Sequence, residues 1–325
     1  MTRAPAFNMF WAMSARPQVA IVVVSYNTKK LLLECLASAA VSAGGANVEL
    51  VVVDNASTDG SFEAAREHFP QALMIRNESN RGFGAACNQA IKATSAPFIL
   101  LLNSDARLTP GAFSALYDSI KSNDACGAAG CRLVNAQGEE TVNARNFLTP
   151  LNQAIELLGL AGRFRTRWLA RTRNLRLDAN LSDCAVDWID GACLILRRAA
   201  LDEVGLFDER FFMYSEDEDL CLRLKGGGWQ VCYSARGTAI HHGGGSSAEA
   251  GLETLRRFYS SQMLFLSIRR GRASVALYKM AMKTALTLKR LAGGSAGRRD
   301  ESTERLTAFR RACEGALDGF DDSGG

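Results

Sequence analysis

Four short apolar runs alternate with helical patterns over the first hundred residues, and this alternation restricts the fold more than any other feature. The runs cover residues 19–24, 48–53, 72–75 and 97–102. Apolar residues between them recur at helical spacing, which predicts helices over 29–41, 57–69 and 82–93, with Thr28 and either Ser57 or Thr58 as caps of the first two. Strands and helices that alternate across short links build a parallel sheet with right-handed crossovers. We therefore expect an α/β domain with a Rossmann-like, mixed but mainly parallel sheet flanked by helices.

The remainder of the chain has a weaker pattern. Thr109 and Pro110 predict the start of a helix that ends near residue 120, and the order loosens from Cys126 onward. The later predicted elements are an amphipathic helix near 151–160, ordered structure over 186–196, a helix over 198–204, a closing strand over 229–233 and two helical segments over 249–270 and 274–291.

These patterns divide the 325 residues into three parts. Residues 1–17 are expected to be a flexible leader and not a signal peptide, because they contain no credible cleavage point. Residues 18–248 form the α/β domain, and 249–325 form a helical C-terminal extension with a polar tail. No stretch reaches the ~18 uninterrupted apolar residues of a membrane span, so any membrane contact is expected to be peripheral.

Composition favours a reduced, cytoplasmic chain that can bury a core. Apolar residues make up 47%, and the nine cysteines show neither CxxC pairs nor metal-ligand spacing. The net charge is only +4, and we expect no nucleic-acid partner. Six arginines and no acid lie within 163–176, where they either meet an anionic acceptor at a membrane or belong to a solvated loop.

Two acidic clusters each follow an apolar run that reads as a buried strand. Residues 98–102 lead into 103–105, and residues 211–214 lead into the four acids at 216–219. Ligands bind at the carboxyl ends of strands in an open parallel sheet, and an unpaired buried carboxylate is costly. We predict one site with divided roles, with a metal and phosphate at the first cluster and proton transfer at the second.

The first cluster is Asn103, Ser104 and Asp105. It resembles the short acidic motif that holds a divalent metal against a sugar-nucleotide pyrophosphate, and hard oxygen ligands suit Mg²⁺ or Mn²⁺. The alternative interpretation is a helix cap that leads towards Thr109 and Pro110.

Polar residues also follow the first two predicted strands. Ser25, Tyr26 and Asn27 end the first, and Asp54 ends the second. Adjacent parallel strands that end in polar side chains form a crevice for a nucleotide. Asp54 can accept a hydrogen bond from a pyrimidine imide or from ribose hydroxyls, and Tyr26 offers a face to a base. A helix cap remains the alternative interpretation of Asp54.

A glycine-rich turn precedes the third predicted helix. Asn80 and Gly82 lie in this turn, and Asn88 lies within the helix. Glycines allow a backbone to approach a ligand closely, and a helix N-terminus favours phosphate. The turn lacks the spacing of dinucleotide-binding and Walker motifs, so a plain strand-to-helix turn remains the alternative.

The second cluster combines proton-transfer chemistry with a helix start. Four consecutive acids raise one another's pKa values, which suits a general base near neutral pH. Acids also favour the first turn of a helix, and both interpretations hold if Asp217 points inward and Glu218 outward. His241 and His242, beside a run of glycines, can complete a metal shell.

Seven motifs in order carry a resemblance to a known family. They are VSYN at 24–27, VDNASTD at 53–59, NRGFG at 80–84, LNSD at 102–105, DGA at 190–192, EDEDL at 216–220 and HxGGxS at 241–246. Together they resemble glycosyltransferase family 2, within it the rhamnosyltransferase-like branch that builds bacterial surface polysaccharides. The resemblance covers residues 19–247 and implies a GT-A fold, a divalent metal and inversion at the anomeric carbon.

The resemblance also implies roles for individual residues. Asp217 is the expected general base, and Asp105 with His241 are the expected metal ligands, with His242 as the less favoured choice. The expected donor contacts are Ser25, Tyr26, Asn27, Asp54, Asn80, Gly82, Asn88, Asn103 and Ser104. The expected acceptor contacts are Trp188, Asp190, Gly191 and Glu216. Many relatives carry proline at the position of Ser104, which weakens donor assignments made by local similarity.

The implied partners are a nucleoside-diphosphate sugar and a glycan or lipid-linked acceptor, on the cytoplasmic face of a membrane. The branch favours deoxythymidine diphosphate rhamnose, with uridine diphosphate galactose or another hexose as the alternative donor. A nucleotidyltransferase would need an Arg- and Lys-bearing glycine-rich loop after the first strand, which this chain lacks. A non-catalytic sugar-nucleotide scaffold would not need Asp105, Asp217 and His241 together. The sequence leaves open a homodimer and whether a basic amphipathic helix at 275–290 contacts the membrane.

Overall fold

The computed structural model describes residues 16–157, 183–243, 251–293, 311 and 313–317. The expectations for residues 1–15, for the arginines at 163–176 and for Ser246 lie outside this part of the chain. The strands are β1 Val19–Ser25, β2 Val48–Asp54, β3 Leu73–Arg76, β4 Phe98–Asn103, β5 Ala106–Leu108, β6 Cys126–Val134, β7 Glu140–Thr141, β8 Ala144–Arg145, β9 Cys184–Val186, β10 Trp188–Ile189, β11 Cys193–Arg197 and β12 Gln230–His241. The helices are α1 Lys29–Ala43, α2 Ser61–His68, α3 Phe83–Ala93, α4 Ala112–Lys121, α5 Pro150–Leu157, α6 Arg198–Val204, α7 Glu216–Gly226, α8 Gly251–Arg270 and α9 Arg272–Gly293.

The main sheet joins a parallel half to a mixed half. Its strand order is β3-β2-β1-β4-β11-β6-β12-β5, with β7 beside β6 and β9 beside β12. The first four strands run parallel, β11 is antiparallel to both of its neighbours, and β12 runs parallel to β6. The predicted fold class is therefore confirmed: a mixed sheet flanked by helices, with a helical C-terminal extension.

The strand β6 was not predicted, because its residues are unlike those of a typical strand. Its first six residues are two glycines, two alanines and two cysteines, a composition with few branched side chains and low strand propensity. The small residues serve packing across the sheet. A Cβ at Gly130 would lie 2.4 Å from Ile189, and one at Gly127 would lie 2.9 Å from Trp229. Glycine here lets neighbouring layers approach closely.

Two predicted helix starts were wrong, and one predicted capping bond is absent. The helix α1 begins at Lys29 after Thr28, as predicted, but the hydroxyl of Thr28 makes no capping bond. The helix expected from Ser57 or Thr58 begins at Ser61, and the one expected from Thr109 begins at Ala112. Glycines at positive φ precede these two helices, so the chain turns once more before each helix begins.

Three hydrophobic clusters hold the structure together. Two lie on opposite faces of the main sheet, where the continuous apolar runs of the inner strands are buried on both sides. The third packs α8 and α9 against Leu148 and Phe211 of the α/β domain. The run at 211–214 was predicted as a strand but forms an irregular loop, because Phe211 is buried in this third cluster instead of in the sheet.

Candidate functional site

A cavity of about 680 Å³ opens where β1 and β4 end. The amino-terminal ends of α7 and α8 form its opposite wall. Eleven of the predicted site residues line it: Tyr26, Asn80, Asn103, Ser104, Asp105, Trp188, Asp190, Gly191, Glu216, Asp217 and His241. The fold thus brings residues that are up to 215 positions apart in the sequence, Tyr26 and His241, into one cavity. Five predicted residues, Ser25, Asn27, Asp54, Gly82 and Asn88, do not line it.

A chain of hydroxyl groups lies beneath the cavity floor. Ser25 Oγ is 3.0 Å from Thr28 Oγ1, which donates to Ser104 Oγ at 2.9 Å. Ser25 is fully buried, so it supports Ser104 from below. The use of Thr28 in this chain explains why its hydroxyl does not cap α1.

Asp54 and Asn27 order the loops beside the cavity. Asp54 is 1% exposed, and its Oδ1 accepts a hydrogen bond from the backbone N–H of Ser57 at 3.0 Å. Its Oδ2 has no hydrogen-bond partner among the described residues. Asn27 adopts φ 53°, and its Oδ1 accepts from the backbone N–H of Thr58 at 2.8 Å. Asp54 therefore orders the turn before α2 but does not cap this helix, which begins at Ser61 after Gly60. Its Oδ2 remains an acceptor without a partner among the described residues.

Gly82 allows two loops to touch at the cavity edge. Its φ is +84°, and a Cβ there would lie 2.3 Å from the carbonyl oxygen of Phe212. That same oxygen accepts a hydrogen bond from the backbone N–H of Phe83 at 3.0 Å. Asn80 accepts from Asn55 Nδ2 at 2.8 Å, and the Asn55 side chain lines the cavity although the sequence did not single it out.

Asn88 lies away from the cavity, in contrast to its expected donor contact. Its Nδ2 donates to the carbonyl oxygen of Phe207 at 2.9 Å, and its Oδ1 accepts from the backbone N–H of Phe207 at 3.0 Å. Nδ2 also donates to Glu209 Oε1 at 3.0 Å. The side chain is 3% exposed, so its polar atoms serve to fix the loop before α7.

Asp105 and His241 form the pair expected to hold a metal. Asp105 Oδ1 lies 3.3 Å from His241 Nε2, and Asn103 Nδ2 lies 3.4 Å from the same nitrogen. Burial alone would lower the pKa of His241, but the hydrogen bond to Asp105 and its charge outweigh burial and raise it. β5 and β12 pair His241 with Ala106, which places the histidine beside Asp105. His242 is not among the residues that line the cavity, and its backbone N–H donates to the carbonyl oxygen of Asp105 at 3.0 Å.

Glu216 and Asp217 are adjacent carboxyl groups at the amino-terminal end of α7. Burial raises the pKa of Asp217 to about 6, and the charge of Asp190 adds to the rise. Hydrogen bonds from the backbone N–H groups of Gly191 and Glu218, both at 2.8 Å, oppose it. Burial, together with the charge of Asp217, raises the pKa of Glu216 well above its usual range. Its Oε2 is buried with no partner in the described structure.

Glu218 points inward, so its predicted outward orientation was wrong. It is fully buried, and its Oε1 accepts a hydrogen bond from the backbone N–H of Leu148. Tyr214 and Ser215 adopt φ values of 71° and 65°, an uncommon left-handed conformation for residues other than glycine. This sharp turn ends the loop and starts α7 with its carboxylates at the cavity.

An arginine that the sequence did not single out contacts both Asp190 and Trp188. Arg145 donates from Nε to Asp190 Oδ1 at 3.0 Å and from Nη2 to Asp190 Oδ2 at 3.3 Å. Its guanidinium also lies 5.6 Å from the ring centre of Trp188. The short pairing of β8 with β10 sets Arg145 opposite Trp188. No motif marks Arg145, because the contact depends on two strands more than forty residues apart.

The helix α8 supplies a further wall that the sequence did not predict. Glu253, Thr254, Arg257 and Phe258 line the cavity. The guanidinium of Arg257 lies 5.1 Å from the ring centre of Phe212. Thus part of the site comes from the C-terminal extension.

Sequence similarity identifies the class of protein to which this chain belongs. The sequence model of the Glycosyl transferase family 2 matches residues 20–205, which is more than half of the chain. The chain therefore belongs to glycosyl transferase family 2, and it is a glycosyltransferase.

Its relatives include enzymes of polysaccharide synthesis. The chain is 29% identical over 282 residues to the N-acetylglucosaminyl-diphospho-decaprenol L-rhamnosyltransferase of Mycobacterium tuberculosis, covering 83% of this chain and 90% of that one. It is 27% identical over 267 residues to the succinoglycan biosynthesis protein ExoU of Rhizobium meliloti, covering 78% and 71%. Among solved structures, a mannosyltransferase from Pyrobaculum calidifontis in complex with GDP-Man and Mn²⁺ has a TM-score of 0.57 at 18% identity, covering 94% and 87%, and shares the GT-A fold.

Proposed function

We propose that this enzyme transfers rhamnose from a nucleoside-diphosphate donor to a lipid-linked glycan acceptor, with inversion at the anomeric carbon. The observation that carries the proposal is the similarity to the mycobacterial L-rhamnosyltransferase across 83% of this chain and 90% of that protein. A match over nearly the full length of both chains includes the acceptor side as well as the donor side. The reaction belongs to bacterial cell-surface polysaccharide synthesis and takes place at the cytoplasmic face of the membrane.

The donor occupies the part of the cavity at the ends of β1 and β4. Tyr26, Asn80, Asn103 and Ser104 line this part and contact the sugar nucleotide. Asp54 does not line the cavity, but it lies at the end of β2, paired with Ser25 at the end of β1. Its unpaired Oδ2 suits a hydrogen bond from the nucleoside of the donor. A buried acceptor atom with no partner is costly, and a donor N–H or O–H from the ligand would satisfy it.

Asp105 and His241 fit one divalent cation. Their oxygen and nitrogen atoms lie 3.3 Å apart at the cavity, close enough to share an ion. The described residues contain no group of three or more His, Cys, Asp or Glu side chains arranged for a metal, so the protein would contribute two ligands. Mg²⁺ and Mn²⁺ commonly keep their other positions for phosphate oxygens and water. A bound cation would supply positive charge against the diphosphate.

Asp217 acts as the general base. Burial raises the pKa of Asp217 to about 6, so this carboxyl group is ionised at neutral pH, and burial raises the pKa of the adjacent Glu216 well above its usual range. Asp217 accepts the proton of an acceptor hydroxyl as that oxygen attacks the anomeric carbon. The bond from this carbon to the diphosphate oxygen breaks, and the diphosphate leaves with the electron pair.

The acceptor lies on the side of Trp188, Asp190, Gly191 and Glu216. Trp188 is 4% exposed and its indole nitrogen donates to the carbonyl oxygen of Asn146, so the ring is held firmly. Asp190 is held by Arg145 and can accept a hydrogen bond from a sugar hydroxyl. Glu216 Oε2, which has no partner among the described residues, can form a further hydrogen bond with a sugar hydroxyl.

A thermal-shift panel of sugar nucleotides, with and without Mn²⁺, tests the donor assignment. A ligand that binds only the folded state raises the melting temperature by mass action. We expect the largest metal-dependent rise with deoxythymidine diphosphate rhamnose, and loss of that rise in Asp105→Ala. A larger rise with a uridine diphosphate hexose would replace rhamnose by that sugar. A shift without turnover of the sugar nucleotide would favour a non-catalytic scaffold, and no shift with any sugar nucleotide would contradict the proposed donor site.

A further inference from the structure

The helix α9 is strongly basic, and the reaction proposed above does not explain its charge. Its 22 residues include five basic residues and no Asp or Glu. One side of the helix is buried in the third hydrophobic cluster through Val275, Tyr278, Met282, Ala285 and Leu286. The opposite side carries exposed side chains in the part of the chain that the structure describes.

This opposite side is apolar although it faces solvent. Leu277 is 51% exposed, Met280 is 60% exposed and Leu288 is 49% exposed. Their spacing of three and eight residues places them on one stripe of an α-helix, together with Thr284. We call this stripe the outer face of α9. Scattered exposed apolar residues need no explanation, but an aligned row on one helix forms a continuous strip.

Basic residues border the outer face along one edge. Arg272 and Lys283 are exposed and Lys279 is partly exposed, and their spacing of seven and four residues puts them on an adjacent stripe. An apolar strip with a basic border and no acids is the pattern of a helix that lies in a membrane interface. A second copy of the chain would bring like charges together across a two-fold axis, so the charges favour an anionic lipid surface over a homodimer.

The helix α9 is attached to the helix that lines the cavity. The hydroxyl of Tyr278 donates to Gln262 Oε1 between two fully buried side chains, which links α9 to α8. Both helices also contribute to the third hydrophobic cluster. Because Glu253 and Thr254 of α8 line the cavity, a surface that holds α9 holds the same helical extension that forms part of the cavity wall.

We propose that the outer face of α9 rests on the surface of an anionic lipid bilayer. Leu277, Met280 and Leu288 enter the interface, while Arg272 and Lys283 contact the lipid head groups. The inference depends on α9 alone and holds whichever donor the site accepts.

Flotation of the full chain with vesicles tests this contact. We expect binding to phosphatidylcholine mixed with phosphatidylglycerol, weak binding to phosphatidylcholine alone, and loss of binding as salt rises. The double variant Arg272→Gln, Lys283→Gln should lower partitioning about twentyfold or more, since each basic residue near the surface contributes about fivefold. Leu277→Gln with Met280→Gln should lower it several-fold on both kinds of vesicle.

A matched control uses an exposed apolar residue and a basic residue on a different helix. Val41 is 63% exposed on α1, and Lys30 is exposed on the same helix. Val41→Gln with Lys30→Gln should leave flotation unchanged. The melting temperature of each α9 variant should match that of the wild type, which separates loss of docking from loss of folding.

Three results would overturn the proposal. The first is equal binding, or none, to neutral and anionic vesicles. The second is unchanged flotation of the α9 variants. The third is a dimer in light scattering that dissociates on Leu277→Gln, which would assign the outer face to a second copy. None of these results bears on the sugar-nucleotide panel, so the two proposals fail independently.

Discussion

Glu216 and Asp217 are adjacent acidic residues whose carboxyl groups have different hydrogen-bond partners. Both begin α7, yet Glu216 is 5% exposed with an unpartnered oxygen, whereas Asp217 faces the cavity and accepts two backbone hydrogen bonds. Hydrogen bonds from N–H groups stabilise the ionised form, and burial without partners stabilises the protonated form. The two carboxyl groups therefore have different surroundings although they are adjacent in the sequence.

Replacement of the proposed base is expected to reduce turnover without removing donor binding. Asp217→Asn keeps the shape of the side chain but cannot accept the acceptor proton. General-base assistance contributes roughly 10²–10⁴ in rate, so kcat should fall at least about a hundredfold. The donor-induced thermal shift should remain. Near wild-type turnover in steady-state assays would contradict the role of Asp217.

The acidic limb of the pH–rate profile is expected to respond to Asp190. Asp217 must be ionised to act, so kcat/KM should fall below an apparent pKa near 6. Asp190→Asn removes a negative charge that raises the pKa of Asp217, so the acidic limb should move to lower pH. The isosteric amide still accepts a hydrogen bond from Arg145. Asp187→Asn, at a carboxylate paired with Lys225, should leave the limb in place. A shift to higher pH in Asp190→Asn would show that another group controls the limb.

A close backbone contact and a buried ion pair join the elements around the cavity. Gly82 lets the turn before α3 touch the loop before α7, and Asp219 ties α7 to α8. Asp219 is fully buried between Arg223, at 2.9 Å, and Arg269. These links hold the acidic end of α7 against the turn before α3 and against the helical extension.

Gly82→Ala is expected to destabilise the protein more than glycine replacement at an open turn. The new methyl group would meet the carbonyl oxygen of Phe212 at 2.3 Å and would also be strained at φ +84°. We expect a loss of at least about 2 kcal/mol in the free energy of unfolding from urea titration. Gly138 has φ +81° with nothing near its Cβ position, so Gly138→Ala incurs the backbone strain alone. Equal losses in the two variants would exclude the steric contact as the cause.

Arg269→Gln is expected to weaken the attachment of α8. The substitution removes one of two cations that surround the buried Asp219 carboxylate. Hydrogen bonds to charged groups contribute about 1.5–3 kcal/mol, and we expect a loss in that range from chemical denaturation. Arg270 is exposed and adjacent, and Arg270→Gln should change stability by less than about 0.5 kcal/mol. Similar losses at both positions would mean that the buried pair contributes little.

The whole molecule is joined by the third hydrophobic cluster. Side chains from α8 and α9 surround Phe211, which lies five residues before Glu216, and Leu148, whose backbone binds Glu218. The extension thus supports the acidic cluster as well as lining the cavity. None of the described helices is long and apolar enough to cross a membrane.

Met263→Ala is expected to loosen the extension and the acidic loop together. Met263 is fully buried in the third cluster, and such a truncation costs about 2–5 kcal/mol. Hydrogen exchange by mass spectrometry should show faster exchange in peptides from 211–220 as well as from 259–266. Faster exchange confined to α8 and α9 would mean that the extension is energetically separate from the site.

The sequence by itself determined the α/β class, the family and eleven of the residues that line the cavity. Continuous apolar runs that end in polar residues require strands buried on both faces, and the ends of such strands meet at one edge of the sheet. This local rule predicted Tyr26, Asn103, Ser104 and Asp105 at the cavity. The order of seven motifs supplied the family, because several short patterns in sequence are far more specific than one.

Only the tertiary structure decided which polar residues face the cavity and which hold it in place. Asn88 and Glu218 are polar residues near motifs, but loops and strands that pack from elsewhere in the chain satisfy their hydrogen bonds. Arg145 and Arg257 have no motif and reach the cavity through β-pairing and helix docking. The burial and the hydrogen-bond partners of a side chain depend on contacts between distant segments. A periodic pattern along the chain does not predict these contacts.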